Sequence, residues 1–346
     1  MKKIVILLLS TVLTTAFVGC SSNESSSSTP TPTQPPSQTE VPETTEAPEE
    51  NNEVVEMSIA ALKGPTAMGM VKLMSDSDAS EEDGYSFSLH TSVDEITPKL
   101  VSGELDIAAV PSNMASVLHN NTNGQVQVLA INTLGVLYIA ENGDTVKSLN
   151  DLEGKTIYAS GKGATPEYTL SHILEQNNLL DKVKIEWKSE HAECVTALVT
   201  DPSGVAMLPE PFITTAKKTA ENIRTAVDLT AEWDALGAGS QAITGVLVGN
   251  RKFIEENKEA VDVFLDDYEE SVAFTESNLD DAAKLIGEYG IVPEPVAKVA
   301  LPKCNIAYID GEDMKVSLSG YLQVLFDSNP KSVGGKMPSE DFYYAQ

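Results

Sequence analysis

The sequence predicts an α/β protein of two lobes with a cleft between them. Three observations carry this. From Val54 onward about 290 residues remain, enough for two compact lobes. Along them short apolar runs alternate with helical stretches, the rhythm of strand–helix–strand units. Two polar, glycine-containing breaks, Glu141-Asn142-Gly143-Asp144 and Gly237-Ala238-Gly239-Ser240, interrupt that rhythm. The second lobe (141–244) is then an insertion in the first (54–140 and 245–346).

The elements follow in order. Residues 55–62 read as a strand, and 65–74 as a helix with Pro65 in its first turn, where a missing N–H costs nothing. A strand-like alternation covers 85–90, a helix 93–101 despite Pro98, and a buried strand 105–110. A helix at 111–120 and strands at 126–131 and 136–140 complete the first round. The second round has strands at 156–159, 183–187, 204–208 and 223–227, with helices at 165–176, 193–199 and 212–219 between them. One more strand, 243–248, precedes an almost wholly helical end: 252–277, 280–289, 295–301 and 314–326. The alternation implies parallel sheets with right-handed crossovers. The two breaks are the expected hinge.

In open parallel sheets ligands sit beyond the carboxyl ends of the strands. Four loops there carry glycine or proline and open a helix. They are Lys63-Gly64-Pro65-Thr66, then Ser112-Asn113 after Pro111, then Gly161-Lys162-Gly163-Ala164-Thr165, and Glu210-Pro211 after Pro209. Glycine lets backbone approach a ligand, and helix-start N–H groups hold anionic or polar atoms. Each helix dipole supplies only about 0.3–1 kcal/mol near a surface. Micromolar binding needs about 8 kcal/mol. Closure that expels water must therefore supply most of the affinity.

Four segments together make the chain resemble the solute-binding subunits of ABC importers. They are Ala61-Leu62-Lys63-Gly64-Pro65-Thr66, Val101-Ser102-Gly103-Glu104-Leu105-Asp106-Ile107-Ala108, Leu149-Asn150-Asp151-Leu152-Glu153-Gly154-Lys155 and Leu208-Pro209-Glu210-Pro211. The similarity is to the type II periplasmic-binding-protein fold, in the branch handling nitrate, sulfonates, taurine and thiamine pyrimidine precursors, and covers 54–344. It implies ligand-binding roles for Lys63, Gly64, Pro65, Thr66, Ser112, Asn113, Gly161, Lys162, Gly163, Ala164, Thr165, Glu210 and Pro211. Lys63 or Lys162 would meet an anionic group. Glu210 would accept from an amine or ring N–H, or cap its own helix. That mixture suits a zwitterion or polar heterocycle better than an inorganic anion. Hinge closure would trap the ligand, and the closed form would dock on a permease with its ATPase. The chain is expected to work as a monomer, without cofactor.

The first twenty residues give the address. A positive start, Met1-Lys2-Lys3, precedes about fifteen uncharged residues, too few for a bilayer span and right for a secretory signal. Phe17-Val18-Gly19-Cys20 resembles the bacterial lipobox, with phenylalanine where leucine is usual. The resemblance implies removal of 1–19 and a diacylglycerol thioether at Cys20, tethering the protein to the outer face of the cell membrane. Residues 20–53 are a Ser/Thr/Pro/Glu stalk that cannot bury enough surface to order itself. At roughly 3 Å per residue it reaches several tens of ångströms, a length that leans toward a Gram-positive wall.

Net charge is −29. Without Lys2 and Lys3 it is −31, and the eight glutamates up to Glu56 account for −8, leaving about −23 on the folded part. Such a surface repels nucleic acid and anionic headgroups. Cys194 and Cys304 are expected to be buried thiols. The four histidines are scattered; His191 and Cys194 share helical spacing but have no second metal-like pair nearby. No Ser/His or Cys/His nucleophile arrangement is legible, so binding without catalysis is expected. A surface sensor with the same fold is the other reading, and an enzyme that makes cofactor precursors on it a third.

Overall fold

The computed structural model describes residues 54–80, 84–237 and 239–345. The predicted signal, Cys20 and the whole of the stalk lie outside the described residues. Among those described, the strands are β1 (Met57–Leu62), β2 (Tyr85–His90), β3 (Ile107–Pro111), β4 (Val126–Leu134), β5 (Leu137–Asn142), β6 (Thr156–Ala159), β7 (Lys184–Trp187), β8 (Val205–Pro209), β9 (Ile223–Asp228), β10 (Ile243–Asn250) and β11 (Ile306–Ile309). They form two sheets, in the orders β11-β4-β10-β3-β1-β2 and β7-β6-β8-β5-β9.

Both sheets follow one plan, and neither is purely parallel as the alternation implied. Three strands run parallel, β2-β1-β3 in one and β7-β6-β8 in the other. An antiparallel strand from the far side of the crossing then joins each, β10 beside β3 and β5 beside β8. The reason is topological: chain that crosses from one lobe enters the other sheet from the opposite end. Strand periodicity carries no record of that direction.

The exchange itself falls at Gly135-Val136, between β4 and β5, five residues before the predicted boundary. β5 is a central strand of the second sheet. The polar break after it lies inside the second lobe, beyond the crossing. Glu141, 2% exposed, accepts from the Thr145 and Val146 amides at 2.8 and 3.1 Å and pairs with Arg224 Nη2 at 2.6 Å. Asn142 Nδ2 donates to the Leu198, Val199 and Asp201 carbonyls. These residues are polar because they knot a turn inside the second lobe. The return passage runs past Leu236 to Ile243, where the Trp233 indole donates to Ser240 O at 2.9 Å.

The predicted helix at 65–74 is two, Pro65–Met68 and Val71–Ala79. Between them Ser271 Oγ donates to the Gly69 carbonyl at 2.6 Å. The predicted helix at 252–277 breaks at Asn257 into Arg251–Glu256 and Lys258–Ser277. The longer piece buries Val261, Phe264, Leu265, Tyr268, Val272 and Thr275, the spacing of one helix face. Two elements escape periodicity: the short β11, and the helix Leu229–Ala235 capped by Asp228.

One core layer lies on the outer face of the first sheet, under 258–277 and its neighbours, and another on the outer face of the second. The third runs through both lobes, joining Val110 and Ile243 to Leu137, Ile139, Trp233 and Tyr321. The lobes thus share apolar packing at the crossing strands.

Candidate functional site

The four loops expected to hold a ligand do meet, but they divide into a cavity and a seal. β1 ends at Leu62, and Gly64, at φ +149°, turns the chain so that Pro65 opens the next helix. Lys63, Gly64, Pro65 and Thr66 line a cavity of about 70 Å³, with Pro111, Leu137 and Thr244. Pro166, Pro209 and His191 complete it from the second lobe. Thr66 is held by its own bond to the Leu62 carbonyl at 3.1 Å, and its carbonyl accepts from Asn132. Gly245 lies against Thr66 and Asn132 so closely that a Cβ would come within 2.6 Å of both. The chain therefore needs glycine there for β10 to pass under the site.

Ser112, Asn113 and Thr165 are fully buried and bond each other rather than facing the cavity. Ser112 Oγ donates to Ile243 O at 2.6 Å and lies 3.1 Å from Thr165 Oγ1. Thr165 Oγ1 also donates to Asn113 Oδ1 at 3.1 Å, and Asn113 Nδ2 donates to Ser332 O at 2.9 Å. Two helix starts, Ser112–Asn121 and Thr165–Gln176, are thus stitched across the cleft. Thr169 Oγ1 and Tyr321 OH, 2.8 Å apart, extend the stitch.

Gly161, Lys162, Gly163 and Ala164 form the arch before Pro166. Gly161 and Gly163 take φ near +80°, Gly163 O accepts from Asn113, and Lys162 is exposed. Glu210 lies buried beside Pro211 and is turned to its own helix, bonding Thr214 Oγ1 at 2.9 Å and Thr214 N at 3.3 Å. Burial raises its pKa, opposed by those two bonds. Of the two roles read from sequence, the cap is the one it fills.

His191 is the residue that sequence reasoning missed. It starts the helix His191–Thr200, directly after β7, at the same sheet end as the other loops. The rule applied to four loops reaches it when applied to the fifth. Its Nδ1 is 2.6 Å from Ser160 Oγ, and its ring lies 4.9 Å from that of Phe212. Burial holds its pKa down to about 4, so it is neutral at pH 7. Ser160 and His191 are a serine–histidine pair that was not legible in sequence. The pair does not make a nucleophile: Ser160 is 2% exposed, and among the described residues no carboxylate bonds His191 Nε2.

Three lining residues therefore carry polar side-chain atoms without a partner among the described residues: Lys63, Thr244 and His191, the last at Nε2. Among the described residues no carboxylate lines it. A larger groove of about 460 Å³ lies on the first lobe, lined by Asp106, Asn250 and Arg251. These three are spent on the fold: Arg251 on Asp341, Asn250 on Leu100 O, Asp106 on Ser58 N. Among the described residues no cluster of three or more His, Cys, Asp or Glu is placed to hold a metal, and no helix is long and apolar enough to cross a membrane.

The family model described as NMT1/THI5 like matches residues 123–282. No curated protein matches the chain by sequence. Among solved structures, an ABC transporter protein from Parabacteroides distasonis superposes with a TM-score of 0.70 at 20% identity, over 84% of this chain and 99% of that one. The periplasmic aliphatic sulphonate-binding protein of Escherichia coli gives 0.67 at 15%, over 84% and 92%. The periplasmic nitrate-binding protein of Synechocystis PCC 6803 gives 0.60 at 11%, over 81% and 84%. The chain has the periplasmic-binding-protein fold of these ABC-transporter proteins.

Proposed function

We propose that this protein is the extracytoplasmic solute-binding subunit of an ABC importer, tethered to the membrane through Cys20. It captures a small polar or zwitterionic organic molecule by lobe closure and delivers it to a permease. It works as a monomer on its stalk, and the tether keeps its concentration high near the permease without fixing its orientation. One observation carries the reading: Lys63 and Thr244 from one lobe and His191 from the other line one cavity with polar atoms that no described residue bonds. A cavity with an ammonium, a neutral imidazole and four prolines, and no carboxylate in its lining, favours a ligand that enters by its anionic end. Its cationic end, in a zwitterion, would stay toward the cleft mouth.

Ligand that bridges both lobes stabilises the closed form by its differential affinity for it. A ligand at a hundredfold its Kd adds about 2.7 kcal/mol to the folded state. Native mass spectrometry of protein purified from its own cells is the test. A small organic molecule released on unfolding is the expected result. A thermal-shift screen in which only nitrate or sulfate raised the melting temperature would refute the organic ligand.

A further inference from the structure

The two lobes also meet along a seam of two helices. Thr165–Gln176 of the second lobe lies beside Gly311–Ser328, which packs on β4 of the first sheet. Thr169, His172 and Glu175 stand three apart and share one face of the first helix. Thr169 Oγ1 bonds Tyr321 OH, and one turn beyond His172 Glu175 accepts from Ser328 Oγ at 3.0 Å. His172 lies between these two bonds and lines a groove of about 430 Å³ with Leu236, Val324 and Asp327. Its ring is 7% exposed and 5.1 Å from that of Trp233, which lies 5.1 Å from Tyr321 in turn. Aromatic packing thus crosses from one lobe to the other beside the return passage, where the Trp233 indole holds Ser240 O.

Thr169 and Glu175 are bonded across the seam; His172 is not. Its Nδ1 is buried and meets no partner among the described residues. A neutral ring tolerates one orphaned nitrogen, whereas an imidazolium, with an N–H on each side and a full charge, tolerates it far less. The carboxylates on the groove are Glu175 from its own helix and Asp327 from the other. Neither pairs with the ring, and both are already bonded, Glu175 to Ser328 and Asp327 to Gln323. On the helix of Trp233, Glu232 and Asp234 flank the indole in sequence. Tyr168, one turn back, and Tyr321, across the seam, are phenols that burial keeps neutral. Among the described residues no cation lines the groove. Burial outweighs Glu175 and holds the His172 pKa below the ordinary 6.5.

We infer that His172 is a proton-sensitive latch on lobe closure: neutral, it lets the two helices pack and the cleft shut, and protonated, it parts them. The inference goes beyond solute binding and rests on the lobe closure of that reading. Opening lifts the ring off Gly311–Ser328 into water, where it takes a proton at its ordinary pKa. Below about pH 6.5 the open form then binds more protons than the closed one, so falling pH favours opening. With that open value, closure weakens at most about thirtyfold by about pH 5.

Small-angle X-ray scattering of the solute-free full chain between about pH 7.5 and 5 tests this, beside His172→Phe and His191→Asn. The radius of gyration should rise with acid in the native protein and in His191→Asn, and stay level in His172→Phe. Trp233 emission should redden over the same range, read with Trp187→Phe because the chain has two tryptophans. Should phenylalanine not fold, His172→Gln is equally uncharged and should give the same level profile. A native radius independent of pH would overturn the inference and leave solute binding intact, as would a His172→Phe protein that expands as much as the native one. A level profile in His191→Asn would also overturn it, by putting the response in the cleft. A native radius that ignored both pH and the removal of co-purified solute would take lobe closure with it.

Discussion

Two polar clusters sit at opposite ends of β5, and they treat their hydrogen-bonding capacity in opposite ways. At the carboxyl end, Glu141 is buried with partners on every side: Thr145, Val146 and Arg224. Burial alone would raise its pKa, yet the Thr145 and Val146 bonds and the Arg224 guanidinium hold it below the ordinary carboxylate range. At the other end, beside Leu137, Lys63 and His191 face the cavity with donors that no described residue meets. A saturated polar cluster stabilises a fold, whereas an unsaturated one in an enclosed space calls for a ligand. Two things that look alike in sequence are thereby separated, a polar break that is a knot and a glycine turn that lines a cavity.

The largest effect should come from breaking the knot. Glu141→Ala leaves Arg224 without its carboxylate and should cost about 3–5 kcal/mol, read as a lower urea midpoint. Ligand affinity of the folded protein should stay where it was. If affinity fell as steeply as stability, the two clusters would not be separable.

Lys63→Met inverts that pattern. Losing a charge-assisted bond of about 1.5–3 kcal/mol should weaken the co-purified solute roughly ten- to hundredfold in calorimetry. The urea midpoint of the ligand-free protein should barely move, because Lys63 is half-exposed and its side chain is bonded to nothing described. Thr165→Val tests the stitch between them. It removes the side-chain bonds to Ser112 and Asn113. About 1–3 kcal/mol of closure should go, seen as a larger radius of gyration without ligand.

The smallest effect is in pH. The folded pKa of His191 is about 4 against an ordinary 6.5, so between those values the unfolded chain binds the extra proton. Stability from this group is whole above about pH 6.5 and is lost as pH falls toward 4. His191→Asn should flatten that part of the stability profile. A native profile already flat between those values would mean that the ring is not buried in solution.

Much of the fold was legible. The strands Tyr85–His90 and Thr156–Ala159 and the helices Thr165–Gln176 and Phe212–Thr219 stand where their periodicity and proline starts put them. Strand direction was not, because β5 and β10 look like any buried strand while running against their neighbours. β11 is four residues between helices, and the Asp228 cap of Leu229–Ala235 was hidden by the glycines that follow. Around the cavity, glycine and proline marked loops that come together but said nothing of which would bond each other. Ser112, Asn113 and Thr165 have the residue types of a ligand shell and form a stitch instead. His191 was one of four histidines, distinguished only by the strand that precedes it.

The central claim is that solute held by Lys63 and His191 closes the lobes. Small-angle X-ray scattering tests it on protein carrying its co-purified solute, then stripped by unfolding and refolding, then reloaded. The account predicts that the radius of gyration rises on stripping and falls again on reloading, and that Lys63→Met stays at the stripped value. A radius that is the same in all three states, with solute demonstrably bound, would contradict it.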